Sequence, residues 1–275
     1  MTFRAGRLLE VGIAVDKLDE ASKDISYLLN TPLSPPIVED ENFSIRFRMA
    51  RIDRADLEIM ESTHPDGLIR RFINRRGEGL HHICFEVADA EAALNELKER
   101  GVPVLSDKVV LTANLKAFFL HPACLGGILV EFVEGIHPWL EGVTHQIDPL
   151  RHGIAVHRIT AIGLRVKSLA VTSTEFMNIM GTDLTTTRIA SHLGQPANVL
   201  RVGDIDLVLI ESSNSGIDHV RLEVPDLENS IVTLIDKGAK ITERCLFNID
   251  GKKSAFVEIQ TLHGMRIELV EIQID

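Results

Sequence analysis

The sequence predicts an α+β protein built from four similar βαβββ modules, each with a strand, a helix and three further strands. A short apolar strand followed by a helical pattern occurs four times, and a second strand type recurs at a nearly constant distance downstream. Glu58 lies 48 residues after Glu10, and Glu131 lies 49 residues after His82. Regular internal repeats of this kind constrain a fold before any single residue does.

The first module contains predicted strands at 8–15, 43–51 and 55–61. Its helix covers 17–29, where apolar residues recur at helical spacing. A short helix at Leu68–Arg76 then leads to the second module. Its arginines could contact phosphate groups, although charged residues on a short helix are usually solvated.

In the second module, Asp89 is suited to begin a helix and Gly101 to end it. Strands are predicted to follow at 103–110, 116–120 and 127–134. Each module thus has the same order of elements, which is most simply explained by modules that pair with one another.

The third and fourth modules repeat the pattern, with helices near 169–180 and 226–238. Between the two pairs of modules the chain is rich in proline and glycine and follows no periodic pattern. We therefore predict two domains, at 1–138 and 158–275, joined by a linker at 139–157.

Composition narrows the possible functions. The 275 residues carry a net charge of −11, which argues against a nucleic-acid-binding protein. No apolar run reaches the length of a membrane span, so no membrane partner is expected. Three widely spaced cysteines indicate a reducing environment, and we expect a cytoplasmic protein that acts on a small molecule.

Acidic and imidazole side chains recur on one face of the predicted strands. Because alternate residues of a strand share a face, Glu10, Glu58, His82 and Glu131 should point away from the helix-covered core. Pairing of the two modules would bring these four together. One histidine and three carboxylates suit a divalent ion such as Co²⁺, Mn²⁺, Ni²⁺, Mg²⁺ or Zn²⁺.

Several motifs in the first half resemble the methylmalonyl-CoA epimerase family and, more widely, the vicinal oxygen chelate (glyoxalase/bleomycin resistance) superfamily. The similarity covers roughly residues 8–135, whereas the second half is similar to the superfamily only through its module pattern. The resemblance implies two glyoxalase-like domains, a metal-holding cup, and metal-assisted proton transfer at the carbon between a thioester and a carboxylate. The motifs are Val11–Val15 (VGIAV), Gly77–Val87 (GEGLHHICFEV), Phe119–Pro122 (FLHP) and Gly126–Glu131 (GGILVE).

The resemblance assigns roles to individual residues. Glu58, His82 and Glu131 fall on metal-ligand positions of the family, while Glu10 stands where the epimerases usually have histidine. His81 is expected to pack or to form a hydrogen bond rather than to bind metal.

Proton transfer is expected from Glu131 and from an acid in the loop before the second strand. Glu41 matches that family position best, and Asp40 is the competing residue. The chain departs from the epimerases at Ala113–Lys116, where a glycine-containing loop is missing, and at Ala123, where lysine is usual.

The second pair of modules retains only part of the site. We expect Arg165 and Arg221 to pair with Glu268 or Glu223 there, leaving a degenerate copy of the first half. The four equivalent positions are Ala161, Val208, His219 and Glu268.

The sequence therefore predicts a metal-dependent epimerase or isomerase acting on an acyl-CoA or a similar chelating acid. A glyoxalase-like lyase would use the same cup, and a non-enzymatic small-molecule binding protein remains an alternative. A two-domain dioxygenase is less favoured, because Ala161 removes a histidine that such a site needs. The chain could be a monomer containing a pseudo-dimer, or a homodimer.

Overall fold

The computed structural model shows two curled mixed sheets, and the protein is an α+β protein as predicted. Residues 113–114 of the predicted loop and 146–152 of the predicted linker lie outside the described residues. The domain boundaries stay a prediction. The described residues are 3–112, 115–135, 137–145, 153–190, 195–245, 252–258 and 260–272.

The first half of the chain contains eight strands and three α-helices among its described residues. In chain order these are β1 Leu8–Ala14, α1 Leu18–Leu28, β2 Val38–Asp40, β3 Ile45–Ile52, β4 Ala55–Ser62, α2 Leu68–Arg76, β5 Gly79–Val87, α3 Ala90–Glu99, β6 Val110–Thr112, β7 Leu115–Phe119 and β8 Val130–Glu134.

The second half repeats this arrangement without a counterpart of α2 among its described residues. Its elements are β9 Arg158–Val166, α4 Leu169–Met180, β10 Leu184–Ala190, β11 Gln195–Val202, β12 Ile205–Glu211, β13 Gly216–Val224, α5 Leu227–Asp236, β14 Lys240–Cys245, β15 Ser254–Glu258 and β16 Ile267–Glu271.

Two modules join at the centre of each sheet. The first sheet has the strand order β2-β3-β4-β1-β5-β8-β7-β6, and the second has the equivalent order β10-β11-β12-β9-β13-β16-β15-β14. In the first sheet β1 pairs antiparallel with β5, while β4 and β8 flank them in parallel pairings. This arrangement brings the first and last strands of both modules to the middle of the sheet.

One strand prediction was wrong. Residues 103–110 were expected to form a strand, but β6 begins only at Val110, and before it Val104 makes an isolated bridge to Leu120. Pro103 has no backbone N–H to donate to a sheet, which weakens strand formation at this point. The strand at this edge of the first sheet, β6, is therefore only three residues long.

The face of each sheet opposite the site forms the core with the helices. Val11, Ile59, Ile83 and Phe132 are fully buried in a hydrophobic cluster that also extends into the second half, as their alternation along the strands predicts. Phe3 packs edge-on against Phe132, with ring centroids 5.1 Å apart. The two halves therefore share one continuous core.

Polar contacts also join the halves. The backbone N–H of Ala5 donates to the carbonyl of Met180 over 3.1 Å. His263 of the second half lies between two acids of the first, with Nδ1 3.1 Å from Glu78 Oε2 and Nε2 3.2 Å from Asp24 Oδ2. Within the described ranges, no helix has the length and hydrophobicity needed to cross a bilayer.

Candidate metal centre and active site

The structure brings together all four residues that the sequence predicts as metal ligands. Glu10 lies on β1, Glu58 on β4, His82 on β5 and Glu131 on β8, so that the four central strands contribute one residue each. All four side chains are buried, and the largest exposed fraction among these residues is 8%, at Glu58. The pairing of the two modules thus creates the cluster.

The imidazole of His82 faces the three carboxylates. Its Nε2 lies 3.2 Å from Glu131 Oε2, 3.5 Å from Glu58 Oε2 and 3.7 Å from Glu10 Oε1. This buried nitrogen nevertheless has no hydrogen-bond partner among the residues that the structure describes. Donor atoms of Glu10, Glu58 and His82 all lie within 4.8 Å of one another. One nitrogen and several carboxylate oxygens at this separation fit a divalent cation.

The other ring nitrogen of His82 contacts a second histidine. The Nδ1 atoms of His81 and His82 are 3.2 Å apart, and His81 packs edge-on against Phe72, with ring centroids 4.8 Å apart. Burial, followed by the charges of His82 and Arg76, lowers the pKa of His81 to about 3. A neutral His81 can accept a hydrogen bond from the Nδ1–H of His82, which leaves the lone pair of His82 on Nε2. The expectation that His81 packs or forms a hydrogen bond is confirmed.

Burial and the charges of neighbouring residues shift the pKa values of the cluster. Burial raises the pKa of Glu58 well above its ordinary value, and the charge of Glu10 adds to that increase. Burial also raises the pKa of Glu131. Burial opposes protonation of His82, but the carboxylates of Glu10 and Glu131 outweigh it and raise the pKa of His82 to about 10. Without a cation, the cluster therefore retains protons.

His137 is a member of this cluster that the sequence interpretation missed. Its Nε2 lies 3.3 Å from Glu10 Oε2, and its Nδ1 lies 3.8 Å from Asp56 Oδ2. Burial would raise the pKa of Glu10, but the charges of His137 and His82 lower it below its ordinary value. The available signal was a histidine six residues after Glu131, beyond the end of the last strand, where no module pattern applies.

The second predicted proton-transfer residue lies at the edge of this region. Glu41 is exposed in the turn after β2 and is not among the described residues that line the cavity. Asp40 is buried, and its Oδ1 accepts from the backbone N–H of Asn42 over 2.9 Å, while its Oδ2 accepts from Thr112. Glu41 stays a prediction, and Asp40 is the more enclosed of the two acids.

A cavity of about 360 Å³ lies above the four central residues. Its floor is polar and its walls are largely apolar, while Arg71 and Arg75 of α2 also line it. A ligand bound here would place a polar group on Glu131 and its neighbours and apolar atoms against the walls. The wall residues include Phe43, Phe47, Met60, Leu115, Phe119 and Val133.

The second half places different groups at the equivalent positions. Ala161 and Val208 are buried in a small apolar cluster. Arg221 Nε donates to Glu268 Oε2 over 2.6 Å, and His219 Nδ1 lies 2.8 Å from Asp218 Oδ2. The expected pairing of Arg221 with Glu268 is confirmed.

The corresponding expectation for Arg165 was wrong, because its Nε lies 3.2 Å from Asp218 Oδ1 instead. Asp218 also pairs with His219, so it forms a charged centre that the repeat pattern does not contain. The second concave face is therefore filled by internal ion pairs.

Comparisons with known proteins identify the superfamily. A model of the "Glyoxalase/Bleomycin resistance protein/Dioxygenase superfamily" matches residues 10–119. Mitochondrial methylmalonyl-CoA epimerase of Homo sapiens is 33% identical over 132 residues, which cover 47% of this chain and 74% of that protein. The chain belongs to the glyoxalase/bleomycin resistance protein/dioxygenase superfamily.

Two further similarities concern a bacterial relative of the first half and the fold of the whole chain. Ethylmalonyl-CoA/methylmalonyl-CoA epimerase of Cereibacter sphaeroides is 33% identical over 129 residues, which cover 46% of this chain and 96% of that protein. A mutant of 4-hydroxymandelate synthase from Streptomyces coelicolor superimposes on 98% of this chain and 93% of its own, with a TM-score of 0.72 and 14% identity. The second similarity concerns the fold alone, and it covers both halves of the chain together.

Proposed function

We propose that the protein is a divalent-metal-dependent epimerase or isomerase that moves a proton at a carbon next to the carbonyl of a small carboxylated acyl-CoA. The observation that supports this most strongly is the buried His82 Nε2, which faces three carboxylates at the floor of a cavity. The region matched by the superfamily model, residues 10–119, contains Glu10, Glu58 and His82. Glu10, Glu58, His82 and Glu131 would hold the ion.

When bound, a divalent ion would supply Lewis-acid stabilisation of the negative charge that develops on a carbonyl oxygen. The residues of the chain would do the rest. The apolar walls would exclude water from the substrate carbon. Burial raises the pKa of Glu131, which makes its carboxylate a stronger base, and Glu131 would accept or return a proton at that carbon. Epimerisation needs a second acid on the opposite side of that carbon, a role we assign to Glu41, with Asp40 as the alternative.

The rim of the cavity supports an anionic substrate. Arg71 and Arg75 lie on one helix at this rim, where they could contact the phosphates of a nucleotide-containing thioester. The same proposal places the protein in the cytoplasm, as either a monomer or a homodimer. A lyase acting on another chelating substrate would use the same floor and is the principal alternative.

The decisive experiment follows hydrogen exchange at carbon. The metal-stripped protein is loaded with Co²⁺ and incubated with methylmalonyl-CoA in D₂O, and deuterium at the α-carbon is measured by mass spectrometry. We expect incorporation that requires metal and is lost in His82→Ala and in Glu131→Gln. The matched control is His219→Ala, which removes the equivalent buried histidine of the second half and should leave exchange intact.

Other outcomes would point elsewhere. Stoichiometric metal binding without deuterium incorporation would contradict the acyl-CoA epimerase and direct attention to lyase substrates. Exchange that persists in His82→Ala would contradict the assignment of the site. Tight ligand binding without metal or turnover would favour a binding protein.

A further inference from the structure

His137 reaches the metal centre from outside the repeated modules. The chain turns at Gly135, whose φ of +109° lies in the region that favours glycine, and Pro138–Leu140 then form a short 3-10 helix. Leu140 is 4% exposed and packs in the same apolar cluster as Phe47 and Met60, which line the cavity. Leu140 therefore anchors the segment on the C-terminal side of His137, which is itself 5% exposed.

The imidazole connects two acidic residues on neighbouring strands. Glu10 of β1 and Asp56 of β4 are directly opposite each other in the parallel pairing. His137 Nε2 lies 3.3 Å from Glu10 Oε2, and Nδ1 lies 3.8 Å from Asp56 Oδ2. Asp56 is in turn fixed by Arg51, whose Nε lies 2.7 Å from Asp56 Oδ1. A chain of contacts thus extends from Arg51 to the outer oxygen of Glu10.

The two oxygens of Glu10 consequently have different surroundings. Oε2 faces His137, whereas Oε1 faces His82 Nε2 at 3.7 Å, toward the centre of the cluster. A donor on the outer oxygen fixes the rotation of the carboxylate and leaves the inner oxygen directed at the ion. The three carboxylates together carry one more negative charge than a divalent cation can neutralise. A donor on Glu10 Oε2 partly offsets this excess negative charge.

We propose that His137 is a positioning residue of the metal centre, which holds Glu10 in its ligating orientation through Nε2 and is itself held by Asp56. This inference rests on the proposed function and deepens it. The epimerases usually have histidine at the position of Glu10. In this chain an imidazole from a different segment, that of His137, would contact the carboxylate ligand instead of binding the metal itself.

The test compares isosteric replacements of the imidazole. Glutamine can place an amide N–H near the position of Nε2, whereas asparagine can place one only near Nδ1. The Co²⁺ affinity of the full-length protein is measured by titration calorimetry, and the Co²⁺ ligand field by visible absorption. We expect His137→Ala and His137→Asn to lower the affinity about 10- to 100-fold and to shift the absorption bands. His137→Gln should retain both properties.

Two controls separate positioning from folding. His145→Gln changes a histidine of the same segment that is not part of the cluster, and it should leave Co²⁺ affinity and spectrum unchanged. Thermal melting of every variant in chelator reports the stability of the metal-free fold, and if His137→Ala does not fold, the glutamine and asparagine variants carry the comparison.

A double variant tests the route through Glu10. In a Glu10→His background the carboxylate is gone, so the further change His137→Ala should alter Co²⁺ affinity by less than about threefold. An equally large loss in that background would overturn the proposal, as would wild-type affinity in His137→Asn.

Co²⁺ affinities of two variants distinguish an error in the proposed function from an error in this inference. Co²⁺ affinity that is the same in the unmodified protein and in His82→Ala would contradict the metal centre and the inference together. Affinity that His82→Ala abolishes and His137→Ala leaves unchanged would contradict the inference alone.

Discussion

Gly12 lies directly against the imidazole of His82. The two residues are opposite each other in the antiparallel pairing of β1 and β5, and a Cβ on Gly12 would come within 2.2 Å of two ring atoms of His82. Gly12 is not among the residues with positive φ, so space rather than backbone conformation requires glycine here. Gly163 has the same relationship to His219, at 2.1 Å.

This repeated contact predicts that one substitution has different consequences in the two halves. Gly12→Ala should displace the His82 ring and abolish Co²⁺ binding, because ligand atoms must stay within a few tenths of an ångström of their places. Gly163→Ala should cost similar stability, about 1–3 kcal/mol from overpacking, while leaving Co²⁺ binding intact. Denaturant unfolding and titration calorimetry of both variants check this pair.

The prediction would be contradicted if the two substitutions had the same effect on Co²⁺ binding. Equal loss of Co²⁺ binding in Gly12→Ala and Gly163→Ala would mean that metal binding responds to general destabilisation and not to the position of His82.

Metal affinity should depend on pH through the proton on His82. Neighbouring carboxylates raise the pKa of His82 to about 10 in the metal-free protein, so an ion must displace that proton from Nε2. Co²⁺ affinity should therefore rise about tenfold per pH unit between about pH 6 and pH 9. Calorimetric titrations in buffers of different ionisation enthalpy should show release of about one proton or more per ion at neutral pH. A pH-independent affinity over this range would contradict the prediction.

The floor of the site could be predicted from the sequence because the repeats encode it. Equivalent positions in two modules converge when β1 pairs with β5, so spacing alone places Glu10, Glu58, His82 and Glu131 together. The same logic predicted that Arg221 pairs with Glu268 or Glu223 in the second half, and the structure shows the pairing with Glu268.

The parts that escaped prediction lie outside the repeat. His137 follows the last strand of its module, between the turn at Gly135 and the packed Leu140, and it contacts Glu10 at the floor of the site. No local pattern predicts such a long-range contact. The partner of Arg165 was missed for a related reason, since Asp218 has no acidic counterpart at the equivalent position of the first half, His81.

The arginines at the rim should affect the recognition of a CoA ester but not the chemistry below it. Replacing Arg71 and Arg75 together by glutamine should raise KM for methylmalonyl-CoA about threefold to thirtyfold at low salt, because two cations near the cavity attract phosphate groups. Co²⁺ affinity should not change. Steady-state kinetics at two salt concentrations provides the measurement.

A neighbouring arginine provides the matched control. Arg70 lies on the same helix but pairs with Asp16 and is not among the described residues that line the cavity. Arg70→Gln should leave KM unchanged, and a pantetheine thioester that lacks the nucleotide should be insensitive to all three substitutions. An equal effect of the double variant on both thioesters would show that the two arginines do not contact the nucleotide.

The buried ion pairs of the second half should make stability depend on pH in a defined direction. Burial opposes the charge of His219, but Asp218 and Glu268 outweigh it and raise its pKa above 6.5 in the folded state. The resulting stabilisation is fully present below the unfolded pKa and declines as pH rises through the folded value. The difference in unfolding free energy between wild type and His219→Gln should thus be larger at about pH 5.5 than at about pH 8.5. Urea unfolding of the wild type and of His219→Gln in chelator at both pH values measures this difference. If the difference in unfolding free energy between wild type and His219→Gln were larger at the higher pH, His219 would be neutral in the folded protein. The charges of Asp218 and Glu268 would then be balanced mainly by the arginines that pair with them.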